Sequence, residues 1–131
     1  MSLLSVQNLK KVYTSKLGTT SVTALKNVNF NVEEGEFIAI MGESGSGKTT
    51  LLNILASLDK PTAGKVILNG IETTSIKEKD LAAFRRDHLG FVFQDFNLLN
   101  TFNIKDNIFF IQHIGVLLIQ HVDTSLIKFI D

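Results

Sequence analysis

Gly42, Gly45, Gly47, Lys48, Thr49 and Thr50 fall within the stretch Gly42-Glu43-Ser44-Gly45-Ser46-Gly47-Lys48-Thr49-Thr50, which carries the spacing G-x-x-x-x-G-K-[ST]. That spacing suits one kind of chemistry, the holding of a phosphate chain. A backbone without Cβ atoms at Gly42, Gly45 and Gly47 can take left-handed conformations and turn its N–H groups toward a single anion. Lys48 adds a mobile point charge for the β- and γ-phosphates of a nucleotide, and the Thr49 hydroxyl is a hard oxygen ligand placed for Mg2+.

Such a loop works only between elements that hold it. Phe37-Ile38-Ala39-Ile40-Met41 is a continuous apolar segment with β-branched members, the pattern of a strand buried on both faces of a parallel sheet. After the loop, Leu51, Leu52, Ile54, Leu55 and Leu58 lay an apolar stripe along one side of a helix that begins near Lys48 and ends near Ser57-Leu58-Asp59. The N-terminus of that helix offers unpaired N–H groups and the positive end of its dipole to phosphate. A glycine-rich turn before an ordinary helix is the bland alternative, and the flanking strand and helix patterns argue against it.

The rest of the chain supplies a scaffold. Residues 3 to 9, with Leu4 and Val6 on one face, predict a strand, and the polar stretch from Thr14 to Thr20 predicts a loop or hairpin connection. Asn27-Val28-Asn29-Phe30-Asn31-Val32 alternates polar and apolar, the mark of a half-exposed antiparallel strand. Pro61, the only proline, stops the first helix. Lys65 to Gly70 predicts a short strand closed by Gly70. Ser75-Ile76-Lys77-Glu78 fits a capping box that opens a helix over about 76–86, with Leu81 and Phe84 inward and His88 at its polar, solvated end. Gly90-Phe91-Val92-Phe93 reads as a second buried strand, ended by Gln94-Asp95-Phe96-Asn97.

Composition narrows the class. The chain has 131 residues, one domain by length, with 13 basic and 13 acidic side chains, so no net field argues for nucleic acid or anionic lipid as partner. Cysteine is absent, which excludes disulfides and thiolate metal sites and fits a reducing compartment. The first eight residues lack the basic and long apolar regions of a secretion signal, and no segment reaches the ~18 consecutive apolar residues of a membrane-spanning helix.

Taken in order, Ala24-Leu25-Lys26-Asn27-Val28, Gly35-Glu36-Phe37, the phosphate loop, Leu58-Asp59-Lys60-Pro61-Thr62-Ala63-Gly64, Arg85-Arg86 and Gly90-Phe91-Val92-Phe93-Gln94 resemble the N-terminal part of an ABC transporter nucleotide-binding domain. The wording is nearest the subgroup serving lipoprotein-release, macrolide-export and bacitracin-type export. The resemblance covers residues 3 to about 108, about the first half of a family domain. It implies an α/β fold of the P-loop NTPase class, with an N-terminal antiparallel β layer and an incomplete parallel core. It implies ATP and Mg2+ as cofactors, a transmembrane permease and a second nucleotide-binding domain as partners, and a cytoplasmic location on the inner face of the membrane. The ATP-binding residues are then Tyr13, stacking on adenine, Gly42, Ser44, Gly45, Ser46, Gly47, Lys48, Thr49, Thr50 and Gln94, with Thr49 and Gln94 also on Mg2+. Without the resemblance Tyr13 reads as a strand tyrosine packing on the sheet, and Gln94 as a loop residue. Glu43 and Asp95 match no catalytic carboxylate of the family and read as solvated.

The sequence also departs from the family. Hydrolysis needs one carboxylate to hold Mg2+ and another to position water, at the end of a later apolar strand. Neither that pair nor the signature Leu-Ser-Gly-Gly-Gln is spelled here, and the resemblance of Val116 to Asp123 to the switch-histidine strand is a chance one at its short distance from Gln94. No catalytic residue is therefore assigned, and the 131 residues alone are expected to show negligible ATPase activity. The domain reading is 1–108 as the family part and 109–131 as an apolar tail off the family pattern. A buried helix, a partner-seeking surface and a frameshifted reading compete for that tail, and the abrupt end of the match after Ile108 favours the frameshift. Three functions follow: the ATP-binding subunit of an export transporter, a non-hydrolysing nucleotide-binding fragment, and another P-loop enzyme such as a kinase. The kinase reading leaves Gln94 and the Pro61 turn unexplained.

Overall fold

The computed structural model describes residues 2–90 and 100–107. The chain divides into two compact units, one ending at Lys77 and the other beginning at Glu78. In the first unit a long hairpin pairs β1 (Ser2–Thr14) with β2 (Ser21–Glu33), and α1 (Lys48–Leu55), β3 (Ala63–Leu68) and β4 (Ile71–Glu72) follow. The strands form a sheet in the order β2-β1-β3-β4, and every ladder in it is antiparallel.

Alternation decides which residues the sheet buries. Leu4 and Val6 of β1 pair with Val32 and Phe30 on one side and with Leu68 and Val66 on the other. Leu4, Val6, Val32 and Val66 are at most 2% exposed, so the expected Leu4/Val6 face is the core face. Along β2 the asparagines at 27, 29 and 31 are exposed while Val28, Phe30 and Val32 turn inward, as the alternation required.

One irregularity changes the parity of β1. Both ladders gain one residue on the β1 side, between Val6 and Leu9 against β2 and between Gln7 and Lys10 against β3, and Asn8 sits there with φ 49. The Asn8 N–H donates to Asn29 Oδ1 at 2.7 Å, which partners the group that the bulge removes from the ladder. Opposite the bulge stands Gly64, at φ +91, where any Cβ would collide with the Asn8 and Gln7 carbonyls. Because side chains alternate with period two, the extra residue transfers the inward face from even to odd positions. Leu9 is therefore fully buried, and Lys11 and Tyr13 follow it on the same face.

Several expectations are corrected. β1 runs on to Thr14, so Tyr13 lies within a strand and the connecting loop is confined to residues 15–20. Phe37–Met41 forms no strand: no described strand pairs with it, and Phe37 and Met41 are 56% and 85% exposed. A parallel strand takes its hydrogen bonds wholly from neighbours, and none is supplied among the described residues. The first helix ends at Leu55, short of Ser57–Asp59, and Leu58 lies beyond it with half its surface exposed, while Leu51, Ile54 and Leu55 are buried. Gly70 does not close the sheet segment but turns it, since Asn69 (φ 50) and Gly70 (φ 78) make the two-residue turn of the β3–β4 hairpin. The capping box does not form: Ser75 ends a 3-10 turn, and its hydroxyl donates to the Glu72 carbonyl at 2.8 Å.

In the second unit α2 spans Glu78–His88, two residues later than the capping box predicted. Glu78 and Asp80 occupy its first turn and Arg85, Arg86 and His88 its last, each sign matching the helix dipole. Leu81 and Phe84 are buried as expected, and exposed His88 rests its ring 4.8 Å from that of Phe84. The strand expected at 90–93 has only Gly90 within the described residues. Gln94, Asp95 and the tail 109–131 lie outside them.

Candidate nucleotide-binding site

The loop at 42–50 is shaped by two glycines. Gly45 and Gly47 take φ +80 and +96, whereas Ser44 and Ser46, between and before them, do not enter the positive-φ region. Alternating the sign of φ along a run turns successive N–H groups to one side, the geometry of an anion-holding nest. Gly47 is also required sterically. A Cβ there would lie 2.5 Å from the Ala24 carbonyl oxygen of β2 and 3.1 Å from Leu25 Cδ2. Gly42 is tight in another way, since a Cβ would lie 2.6 Å from Ser46 Oγ.

The loop opens directly into α1. Gly47 is its N-cap, no side chain caps it, and the first intrahelical bond runs from Leu51 N–H to the Gly47 carbonyl at 2.9 Å. The first-turn amides at Lys48, Thr49 and Thr50 thus stand at the positive end of the helix without a capping side chain, and no acidic side chain lies in that turn. Lys48 Nζ donates to the Gly42 carbonyl at 2.7 Å and to the Glu43 carbonyl at 3.1 Å, so its ammonium lies across the loop. Ser44, Ser46 and Thr49 are exposed and Thr50 half-buried. Glu43 is exposed and its carbonyl, not its carboxylate, engages the loop.

Tyr13 stands at the far end of the odd-numbered face of β1. Its hydroxyl donates to Asp59 Oδ2 at 2.9 Å, and the Lys11 ammonium lies 4.8 Å from its ring centroid. Lys11 Nζ in turn pairs with Asp59 Oδ1 at 2.7 Å. The largest influence on Asp59 is partial burial, which raises its pKa. Hydrogen bonds from Lys11, Tyr13 and the Lys60 amide, with the Lys11 charge, outweigh it and set the carboxyl below the ordinary aspartate range. Nothing in the sequence reading singled out Lys11 or Asp59. The available signal was the position of Asp59 just before the Pro61 turn.

A metal here would have few protein ligands. Among the described residues no three His, Cys, Asp or Glu side chains converge to hold an ion. The Thr49 hydroxyl, exposed in the first turn of α1, is an oxygen donor of the kind Mg2+ accepts, and phosphate oxygens would complete such a shell. Gln94, the second expected ligand, lies outside the described residues.

The model of the ABC transporter family matches residues 25–130. The chain belongs to that family. An uncharacterized ABC transporter ATP-binding protein of Bacillus subtilis, YvcR, is 56% identical over 108 residues, 82% of this chain and 42% of its own length. The bacitracin export ATP-binding protein BceA of Halalkalibacterium halodurans is 52% identical over 108 residues, again 82% of this chain and 42% of its own. A solved dimeric structure of the ATP-binding cassette MJ0796 of Methanocaldococcus jannaschii, bound to ADP and Pi, superposes with a TM-score of 0.74 at 41% identity. It covers 94% of this ABC chain, which spans 50% of that cassette. The α/β P-loop cassette fold expected from the sequence is thereby established, and the chain spans less than half the length of these two curated relatives.

Proposed function

We propose that this chain binds MgATP. The phosphates sit in the nest formed by Gly42, Ser44, Gly45, Ser46 and Gly47, with Lys48, Thr49 and Thr50 at the opening of α1, and the adenine stacks on Tyr13. The observation that carries this reading is the alternating φ sign at 44–47, leading without interruption into a helix N-terminus with no side-chain cap, with the Lys48 ammonium laid across the loop. Mg2+ would neutralise phosphate charge and be held on the protein side by Thr49, with Gln94 as the second ligand. Lys48 exchanges its two carbonyl partners for phosphate oxygens, a trade of neutral for charged acceptors that favours binding.

In this proposal the chain is part of the ATP-binding subunit of an export-type ABC transporter. It acts with a permease and a second nucleotide-binding domain at the inner face of the membrane, on a peptide antibiotic, a lipoprotein or a similar amphiphile. BceA, by its name, serves bacitracin export. Among the described residues no helix is long and apolar enough to cross a membrane, so attachment would run through the permease. The sequence presents no carboxylate pair for hydrolysis, and the activity proposed for residues 1–131 by themselves is binding without turnover. Residues 1–108, which hold the phosphate loop, Tyr13 and Gln94, carry it.

The test is equilibrium binding of a fluorescent ATP analogue with Mg2+. Lys48→Ala is expected to weaken it at least ~10-fold, the value of one charge-assisted contact to phosphate. An unchanged affinity in that variant would remove the phosphate-loop assignment.

A further inference from the structure

Lys11, Tyr13 and Asp59 form a cluster that the phosphate loop does not explain. Asp59 Oδ1 accepts from Lys11 Nζ at 2.7 Å and from the Lys60 N–H at 2.7 Å, while Oδ2 accepts from the Tyr13 hydroxyl at 2.9 Å. Lys11 Nζ donates further to the Lys60 carbonyl at 2.6 Å. One carboxylate oxygen is thus tied down by two donors, and the other is left to hold the tyrosine. The turn that carries Asp59 is itself bound to α1, since the Leu58 and Asp59 N–H groups both donate to the Asn53 carbonyl, at 2.8 and 3.1 Å. The Lys11 side chain is only 12% exposed, but Tyr13 is 44% exposed.

From this geometry we propose that Asp59 is a positioning residue for the nucleobase. Its carboxylate fixes the Tyr13 hydroxyl and, through Lys11, one face of the ring, and leaves the opposite face open to a purine. This rests on the reading that the chain binds ATP and adds to it how the base is met. A tyrosine at a strand end beside a hairpin loop would otherwise have to be ordered on binding, and a ring already held avoids that loss. The ammonium 4.8 Å from the centroid occupies one face, so stacking is restricted to the other. Because α1 begins at the phosphate loop and its Asn53 carbonyl holds the Asp59 turn, one helix links the groups that meet the two ends of the ligand.

Calorimetric titration of the full chain with MgATP and, separately, with magnesium tripolyphosphate distinguishes base contacts from phosphate contacts. Tyr13→Ala is expected to weaken MgATP ~5- to 150-fold, the range of base stacking on an aromatic ring, and to leave tripolyphosphate within about twofold. Asp59→Asn removes the negative charge and puts an N–H2 donor where Oδ2 accepts from the Tyr13 hydroxyl, so the charge-assisted bond that holds the ring is lost. It is expected to weaken MgATP ~3- to 10-fold, again without touching tripolyphosphate. Tyr13→Phe removes the same bond from its other end and should match it, and the double variant should lose no more than either single one. MgATP affinity unchanged in Asp59→Asn or in Tyr13→Phe, or an equal loss for MgATP and tripolyphosphate, would reduce the cluster to a structural brace and overturn the proposal. Should Asp59→Asn unfold, Tyr13→Phe alone decides. Failure of the underlying ATP reading shows differently: the unaltered chain would then bind neither ligand, or Lys48→Ala would bind both normally.

Discussion

Replacing Gly47 by alanine should cost substantially more stability than replacing Gly45, although both glycines belong to the same loop and both have positive φ. At Gly45, φ is +80 and no heavy atom lies within 4 Å of the Cβ position, so alanine meets only backbone strain. Left-handed backbone costs a residue with Cβ ~1–2 kcal/mol, and the lower entropy of the unfolded chain returns ~0.4–1, which leaves a net loss of ~0–1.6 kcal/mol. At Gly47, φ is +96 and the new Cβ would stand 2.5 Å from the Ala24 carbonyl oxygen, a backbone atom of β2 that cannot rotate away. Either β2 or the start of α1 must shift by several tenths of an ångström. Overpacking of that kind adds ~1–3 kcal/mol, for a total of ~1–4.6 kcal/mol against a domain stability of ~5–15. Urea denaturation followed by far-UV circular dichroism, at constant m-value, reads the difference. Two variants within ~0.5 kcal/mol of each other, or Gly45→Ala the worse, would show that the approach of the loop to β2 is not what demands glycine at 47.

Other outcomes follow from the same structure. Leu9 is fully buried behind the Asn8 bulge, so Leu9→Ala should lose ~2–5 kcal/mol in the same denaturation assay, whereas Val22→Ala, 65% exposed, should stay within ~0.5. A loss at Leu9 no larger than at Val22 would mean that the bulge does not set the inward face. Asp59 has its pKa lowered in the folded chain, so its contribution to stability is fully present above the ordinary aspartate range. It is lost as pH falls through the depressed folded value. Melting temperatures measured from pH 6 downward should therefore fall less steeply for Asp59→Asn than for the unaltered chain across the acid limb, and parallel curves would contradict the assigned hydrogen bonds.

Local pattern carried the elements whose partners are near in sequence. The G-x-x-x-x-G-K-[ST] spacing, the Val28/Phe30/Val32 alternation and the stripe at Leu51, Ile54 and Leu55 each state a backbone geometry and an inward face within a few residues, so loop, strand and helix were legible without neighbours. The same was true of Leu81 and Phe84, though not of the start of their helix, because Ser75 had a competing acceptor in the Glu72 carbonyl. Tertiary structure decided what depends on contacts distant in sequence. Phe37–Met41 has the composition of a buried parallel strand, but a strand exists only where another chain segment completes its ladder, and no described strand does so. The parity switch at Asn8 follows from Gly64 and Asn29 on neighbouring strands, and it alone brings Lys11 and Tyr13 onto the face that meets Asp59. The sequence therefore determined the phosphate-loop spacing, while the fold decided what surrounds Tyr13, since a side chain's partners are chosen by register across strands and not by the order of residues along one of them.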